Sequence, residues 1–512
     1  MSGQQWRRVP IGLDADRWVT RPNCKAVLAV VHTVTSAQRL LEAVRLIEPD
    51  LRVQMVYTTA PDVFGDGAAE FLDGLGALRV PWEQATRQRF DLALAASLGA
   101  IHELHAPLVV MPHGAGFTKL VRRPGLRAIG GAVSRGTAGP AADGGSVVYG
   151  TDGSAADGGS RVYGVDGSGI EGWPRAYGLD GSGIDGGSVV YGLDPQRLMH
   201  DGVVVPAAIV LPHEADLGTL GRSCPQAVPA ANVVGDPSFD RLKASLPHRD
   251  AYRRALAVGP GHTLVVVTST WGTASLFGRR SELLSRLVAE LPSCRFRVVG
   301  LLHPNVWSGH GSRQVRTWLA DGLRQGLGLV PPDADWRGVV AAADVIIGDH
   351  GSATVYGTVA GVPVMLAEFF DAAVDPTSAA GRLATVAPRL SLDRPLREQL
   401  ATAEEYTRDG RYDGVVARIT SEPGHFDRNM RRLMYRLLGL RQPAAITAPP
   451  PAAVPYLLGR WPWQVRDPWD GRPPGERPSG CAHCADRPGG GAARLVDADA
   501  TARWWTRGRR RA

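Results

Sequence analysis

The chain has 512 residues, 44% of them apolar, which is enough for three or four domains with sizeable cores. Its formal charge is +7, and the twelve arginines and six acids of residues 441–512 supply +6 of it, so the near-neutral body argues against a face that grips nucleic acid. Five cysteines do not staple a chain this long, the N-terminal residues lack a signal peptide's apolar core, and no apolar run is long enough to span a bilayer. Disulfide-scaffold, secreted and integral-membrane classes are therefore excluded in favour of a cytoplasmic protein.

Val27–Val31 reads as a buried strand, followed by the polar loop His32–Ser36. Leu40, Leu41, Val44 and Ile47 then recur at helical spacing, with Ser36 as the expected cap. A strand at Leu51–Val56, a helix at Ala68–Leu75 and a strand at Ala77–Val80 come next. Short strands are expected at Asp91–Ala96 and Leu108–Met111, separated by a segment that reads as helix. Strands alternating with helices imply a parallel sheet whose βα loops gather at one edge. Residues 143–196 carry a repeat of period 14, with Tyr149, Tyr163, Tyr177 and Tyr191 in register. Its Asp-Gly and Gly-Ser pairs mark turns, so 143–184 reads as an expanded surface loop before the chain resumes at Val203–Leu211.

Val233–Leu242 reads as a linker broken by Gly235 and Pro237. A second alternating series follows, with strands at Thr263–Thr268, Arg295–Leu302, Leu327–Val330, Val345–Ile347 and Val362–Leu366. Between the first two, Ser281 is placed to cap a helix whose face is Leu283, Leu284, Leu287, Val288 and Leu291. After Gly424 a helix presents Phe426, Met430, Leu433, Met434, Leu437 and Leu438, with Arg428, Arg431, Arg432 and Arg436 among them. Such a helix either closes over the domains or makes a peripheral contact with anionic membrane. From Gln442 the chain turns Pro-, Gly-, Arg- and Trp-rich and is expected to be disordered. The expected organisation is an extension at 1–24, a Rossmann-like domain at 25–240 holding the insertion, a second Rossmann-like domain at 241–440 with its closing helix, and a tail at 441–512.

Three loops, each after an expected strand, sit where α/β proteins place ligands. In Met111–Lys119, two glycines allow close backbone approach, His113 is a base near neutral pH and Lys119 adds positive charge. In Leu301–Trp307, His303 is fixed before Pro304, placed to donate to a phosphate. The third reads strand, small polar turn, helix, strand from Val345 to Leu366, with Gly351, Ser352 and Ala353 opening the helix and Asp349 and His350 beside them. A helix start of this kind offers unpaired N–H groups to a diphosphate. Each loop also has a purely structural reading, as a turn, a strand-end histidine or an N-cap. Cys481 and Cys484 supply two thiolates where a closed zinc site needs four ligands, so no metal site is expected. Trp504-Trp505 and the arginines after them read as a solubilising tail.

The third loop resembles the donor-phosphate loop of GT-B nucleotide-sugar enzymes, and more narrowly that of the CDP-glycerol glycerophosphotransferases of wall teichoic acid synthesis. That family pairs a His-Gly motif in its first half with a His-Pro motif in its second, where this chain has His113-Gly114 and His303-Pro304. Thr268–Trp271 is similar to the family's Pro-Thr-Trp strand end, and Gly235-Asp236-Pro237 with Asp240 is similar to a linker in UDP-N-acetylglucosamine 2-epimerases. The resemblance implies a GT-B-like α/β fold, two facing Rossmann-like domains with a central cleft. It also implies an enzyme that moves a glycosyl or polyol-phosphate group from a nucleotide-diphosphate-linked donor to a hydroxyl acceptor in cell-envelope polymer synthesis, with no cofactor. By carry-over, His113 is the general base, and His303 with Thr270, Asp349, His350, Gly351, Ser352 and Ala353 binds the donor phosphates. Lys119 and Glu368 are placed to meet the ribose or the acceptor. Where the family carries an acidic residue one turn after its Ser pair, this chain has Tyr356. Two alternatives stay open: a UDP-sugar 2-epimerase-like enzyme, and a GT-B-like nucleotide-binding scaffold without turnover.

Overall fold

The computed structural model describes residues 6–11, 15–62, 65, 67–122, 188–407, 410–444 and 448–458. The repeat at 143–184, the Cys481/Cys484 pair and Trp504-Trp505 lie outside them.

The first half is built on β1 (Lys25–Val31), β2 (Val53–Thr59), β3 (Arg79–Val80), β4 (Leu92–Ala95) and β5 (Leu108–Val110). Two antiparallel pairs follow, β6 (Leu120–Arg122) with β7 (Ser188–Val190) and β8 (Met199–His200) with β9 (Val203–Val204). The chain then returns to the main sheet with β10 (Ala208–Leu211) and β11 (Ala231–Val233). Seven parallel strands result, in the order β11-β10-β5-β4-β1-β2-β3. The second half carries β12 (Thr263–Ser269), β13 (Phe296–Leu302), β14 (Gly328–Leu329), β15 (Val345–Gly348) and β16 (Val364–Leu366). Its sheet is also wholly parallel, in the order β14-β13-β12-β15-β16. Val27–Val31 and Val265–Val267 are almost fully buried, because helices cover both faces of each sheet and the strands read as continuous apolar runs.

Both sheets step outward from their first strand and then return past it. Each therefore has a switch point, at β1/β4 and β12/β15, where loops diverge and leave a crevice at the strands' C-terminal ends. The architecture is two Rossmann-like halves whose C-terminal strand edges meet.

Several expectations are corrected in detail. The first helix, Val34–Val44, is capped by Thr33, and Ser36 completes a capping box as its third residue. The segment between β4 and β5 holds only a short 3-10 turn, Ile101–Glu103. Ser281 caps nothing; the helix Leu283–Glu290 begins after Glu282 with no side-chain cap. The expected linker is an ordered turn at Gly235 (φ +105°), where a Cβ would press on Glu422 and Phe426, followed by the helix Pro237–Ser245. Asp236 caps that helix by accepting the Phe239 N–H at 2.8 Å. The closing helix, Phe426–Leu438, crosses back and buries Phe426, Met430, Leu433 and Met434 in the core of the first half. Arg428, Arg432 and Arg436 stay exposed on its outer face. The tail is not wholly without structure either. Ala452 is buried in the second half, the Tyr252 hydroxyl donates to its carbonyl at 2.8 Å, and the Leu458 N–H donates to Leu329 at 2.9 Å. Pro-rich chain docks in extended form, and neither helical nor strand periodicity announces it.

Candidate functional site

The loop after β5 carries His113 to the interface between the halves. Its Nδ1–H donates to the Ala96 carbonyl at 2.9 Å, which leaves the Nε2 lone pair available. The ring keeps solvent access although protein crowds around it on several sides. Desolvation holds its pKa below the usual value, and Arg39, Lys119 and His32 add positive charge in the same direction; the bond to Ala96 opposes them. At neutral pH His113 is therefore an uncharged imidazole, the form a general base requires.

Contacts from elsewhere fix this loop. Arg39, buried on the first helix, donates to the Gly114 carbonyl at 2.6 Å, and the Ala115 N–H donates to the Ser352 hydroxyl at 3.0 Å. A Cβ at Gly114 would collide with Ser352 Oγ, so this approach of the two halves requires glycine. Tyr356 stands fully buried behind Ser352 and donates to Asp236 at 2.8 Å. Arg39 pairs with the same carboxylate at 3.4 Å. Burial opposes the Arg39 charge, but Asp236, Tyr356 and Glu42 outweigh it and keep the guanidinium firmly protonated. Beside this junction Glu42 binds Arg241 at 2.5 Å and Arg337 at 3.1 Å, so the first helix is joined to the second half by buried ion pairs.

His303 ends β13 and caps the helix Pro304–His310. Its Nδ1 accepts the Asn305 N–H at 3.1 Å, so the proton sits on Nε2. Desolvation, then repulsion from His113, pushes its pKa down to about 3. The structure thus brings the two histidines within electrostatic reach across the interface. His303 is therefore a neutral hydrogen-bond donor.

The residues after β12 and β15 divide into two kinds. Asp349 is fully buried; it accepts the N–H groups of Thr270, Leu276 and Gly351, each at 2.9 Å. It builds the loop and does not face a ligand, so its expected contact with donor phosphate is corrected. The N–H groups of Thr270 and Gly351 are spent on it. The helix Ser352–Gly357 is short, Ala353 is half-buried in its first turn, and the Ser352 oxygen is engaged by Ala115. His350 is buried edge-on to Phe369, with burial lowering its pKa.

Lys119 lies 5.1 Å from the Tyr191 ring, and burial, then Arg197, pushes its pKa down to about 8. Glu368 pairs with Arg280 at 3.3 Å and Arg279 at 3.7 Å, so its carboxylate is occupied by protein cations. Sequence reasoning passed over Arg39, Arg279 and Arg280, and it noted Asp236 only as part of a linker motif. It also passed over His32, fully buried at the end of β1, whose Nε2 meets the Gly99 carbonyl at 2.8 Å. A histidine directly after Val27–Val31 repeats the strand-end placement of His113 and His303, and that was the available signal. Among the described residues no cluster of His, Cys, Asp and Glu is arranged to hold a metal ion, and no helix is long and apolar enough to cross a membrane.

No protein-family model matches the chain, and no curated protein matches its sequence. Among solved structures it is similar to the wall teichoic acid polymerase TagF, at 11% identity over 82% of this chain and 91% of that one, with a TM-score of 0.47. It is also similar to a glycosyltransferase from Rickettsia africae, at 10% identity over 81% and 98% with a TM-score of 0.38. A third is Anabaena HepE in complex with UDP and glucose, at 10% identity over 81% and 99% with a TM-score of 0.39.

Proposed function

We propose that the chain is a transferase that moves a glycosyl or polyol-phosphate group from a nucleotide-diphosphate donor to a hydroxyl acceptor. The observation that supports this best is the meeting of two neutral histidines with complementary tautomers, His113 with a free Nε2 lone pair and His303 with an Nε2 proton. His113 takes the proton of the acceptor hydroxyl as its oxygen bonds to the transferred group. The bond to the nucleotide phosphate breaks, its electron pair stays on the departing oxygen, and the His303 Nε2–H donates to that oxygen. Lys119, whose charge acts on His113, is the cation placed to offset phosphate charge.

A second reading, a nucleotide-binding scaffold without turnover, is favoured by the buried Arg39–Asp236–Tyr356 junction, which ties the halves together beside the histidines. A panel of CDP-, UDP-, GDP- and TDP-linked donors separates the two, with thermal shift and nucleotide release measured in parallel. The transferase reading expects one donor to raise the melting temperature and to be consumed when a polyol acceptor is added. Stabilisation without release supports the scaffold, and silence across the panel overturns both.

A further inference from the structure

Two histidines hold the loop that follows β4, residues 96–100. His113 donates from Nδ1 to the Ala96 carbonyl at 2.9 Å, and His32 donates from Nε2 to the Gly99 carbonyl at 2.8 Å. Among the described residues no other side chain hydrogen-bonds to this loop. The first bond sets which ring nitrogen of His113 carries the proton, so the place of the Ala96 carbonyl decides whether Nε2 is free to act as a base. The loop is not a relaxed turn. It ends at Ala100 with φ +55°, a left-handed conformation that a residue with a Cβ adopts only when its surroundings impose it.

His32 is a costly way to supply that hold. It is fully buried, and a carbonyl can only accept, so its proton is on Nε2 and its Nδ1 is an acceptor with no partner. A buried polar atom left this way destabilises the fold. Burial lowers the His32 pKa, opposed by the Gly99 bond and by the nearby Asp62 carboxylate, and the ring lies within electrostatic reach of His113. Its backbone N–H donates to the Ser36 hydroxyl at 3.0 Å, which anchors it to the first helix beside the β1/β4 switch point. A side chain kept for bulk at the end of β1 would be apolar, like Val27–Val31. The imidazole adds one thing those residues lack, a donor with the reach to Gly99.

We infer that His32 is a positioning residue for the reaction: by gripping the Gly99 carbonyl it fixes the loop after β4, and through the Ala96 carbonyl it holds His113 in the tautomer and direction of a base. The inference rests on the transferase reading of His113, and its test includes a readout that needs no turnover. Isotope-edited nitrogen NMR of the full chain labelled in its histidines reports the tautomer of each ring, and the His113 signal is the one lost in His113→Ala. In the wild type His113 should be the Nδ1–H tautomer. His32→Asn, an amide too short to reach Gly99, should populate the Nε2–H tautomer of His113 and slow transfer by about tenfold or more, with the KM for donor little changed. His32→Gln, whose amide N–H has the reach of the imidazole Nε2–H, should restore both towards the wild type. His32→Leu, apolar and suited to a buried place, should behave as His32→Asn does and replaces it if the shorter amide fails to fold. A His113 tautomer that is the same in the wild type, His32→Asn and His32→Leu would overturn the inference even if stability fell, because His32 would then serve the fold alone. Equal losses in His32→Gln and His32→Asn would overturn it too. A wild type inert towards every donor sinks the transferase reading instead, and the tautomer comparison still decides whether His32 positions the ring.

Discussion

On the first sheet the loop after β5 is held from outside, by Arg39 on its Gly114 carbonyl and by Ser352 on its Ala115 N–H, whereas on the second sheet the loops after β12 and β15 are held from within by the buried Asp349 carboxylate. The His113 loop thus takes part of its shape from the opposite half. The Thr270 and Gly351 loops would keep theirs if the halves parted. One side of the interface is prebuilt, and the other is completed by closure.

The largest effect expected from this contrast is at Asp349. Asp349→Ala leaves three N–H groups without an acceptor in a buried setting, at about 1–3 kcal/mol each. Several kcal/mol is a large share of a typical domain's stability, so the variant should be poorly soluble or unfold at a much lower urea concentration. An unfolding midpoint close to that of the wild type would show that the second loop set is not built on this carboxylate.

A smaller, functional effect is expected at His113. His113→Ala should leave donor affinity nearly unchanged and slow transfer on the order of 100-fold. Its lowered pKa places the acid limb of the wild-type rate profile below the usual histidine value of 6.5, with a plateau above it. Stability follows the same sign. A histidine whose folded pKa lies below 6.5 takes up its proton more readily when unfolded, so its contribution is present above about pH 6.5 and falls with pH, towards about pH 3 for His303. The slope is at most about 1.4 kcal/mol per pH unit for each such group. His303→Ala should flatten the acid limb of a stability–pH curve, and an unaltered limb would show that His303 is not held neutral.

Much of the fold was legible in the chain. Runs such as Val27–Val31 and Val345–Ile347 are apolar throughout because buried parallel strands must be, and the histidines stand where those runs end. What stayed hidden depends on contacts distant in sequence. Arg39 and Glu42 look like surface residues of an amphipathic helix, but that helix is wedged between the halves and buries them against Asp236 and Arg241. Asp349 reads as part of a phosphate loop because an acidic residue beside glycines looks the same whether it faces a ligand or its own backbone. Tyr356 was visible as a departure from the resembling family's pattern. Its partners, Asp236 and Arg39, lie 120 and 317 residues away and have no common motif.

The smallest effect is expected at Ser352, and it bears most directly on closure. Ser352→Ala removes the acceptor of the Ala115 N–H in a partly buried place that water can reach, so the stability cost should be about 0.5–1.5 kcal/mol. The freed N–H is on the first half and the lost hydroxyl on the second, so the change should act on their approach more than on either sheet. Limited proteolysis within 111–119 should accelerate in Ser352→Ala, while the second half resists as before. Donor affinity should fall less than in His303→Ala, because the Ser352 oxygen is already committed to Ala115. If affinity instead falls by about tenfold or more with proteolysis unchanged, the hydroxyl works for the donor, the contact with Ala115 is incidental, and both sides of the interface are prebuilt.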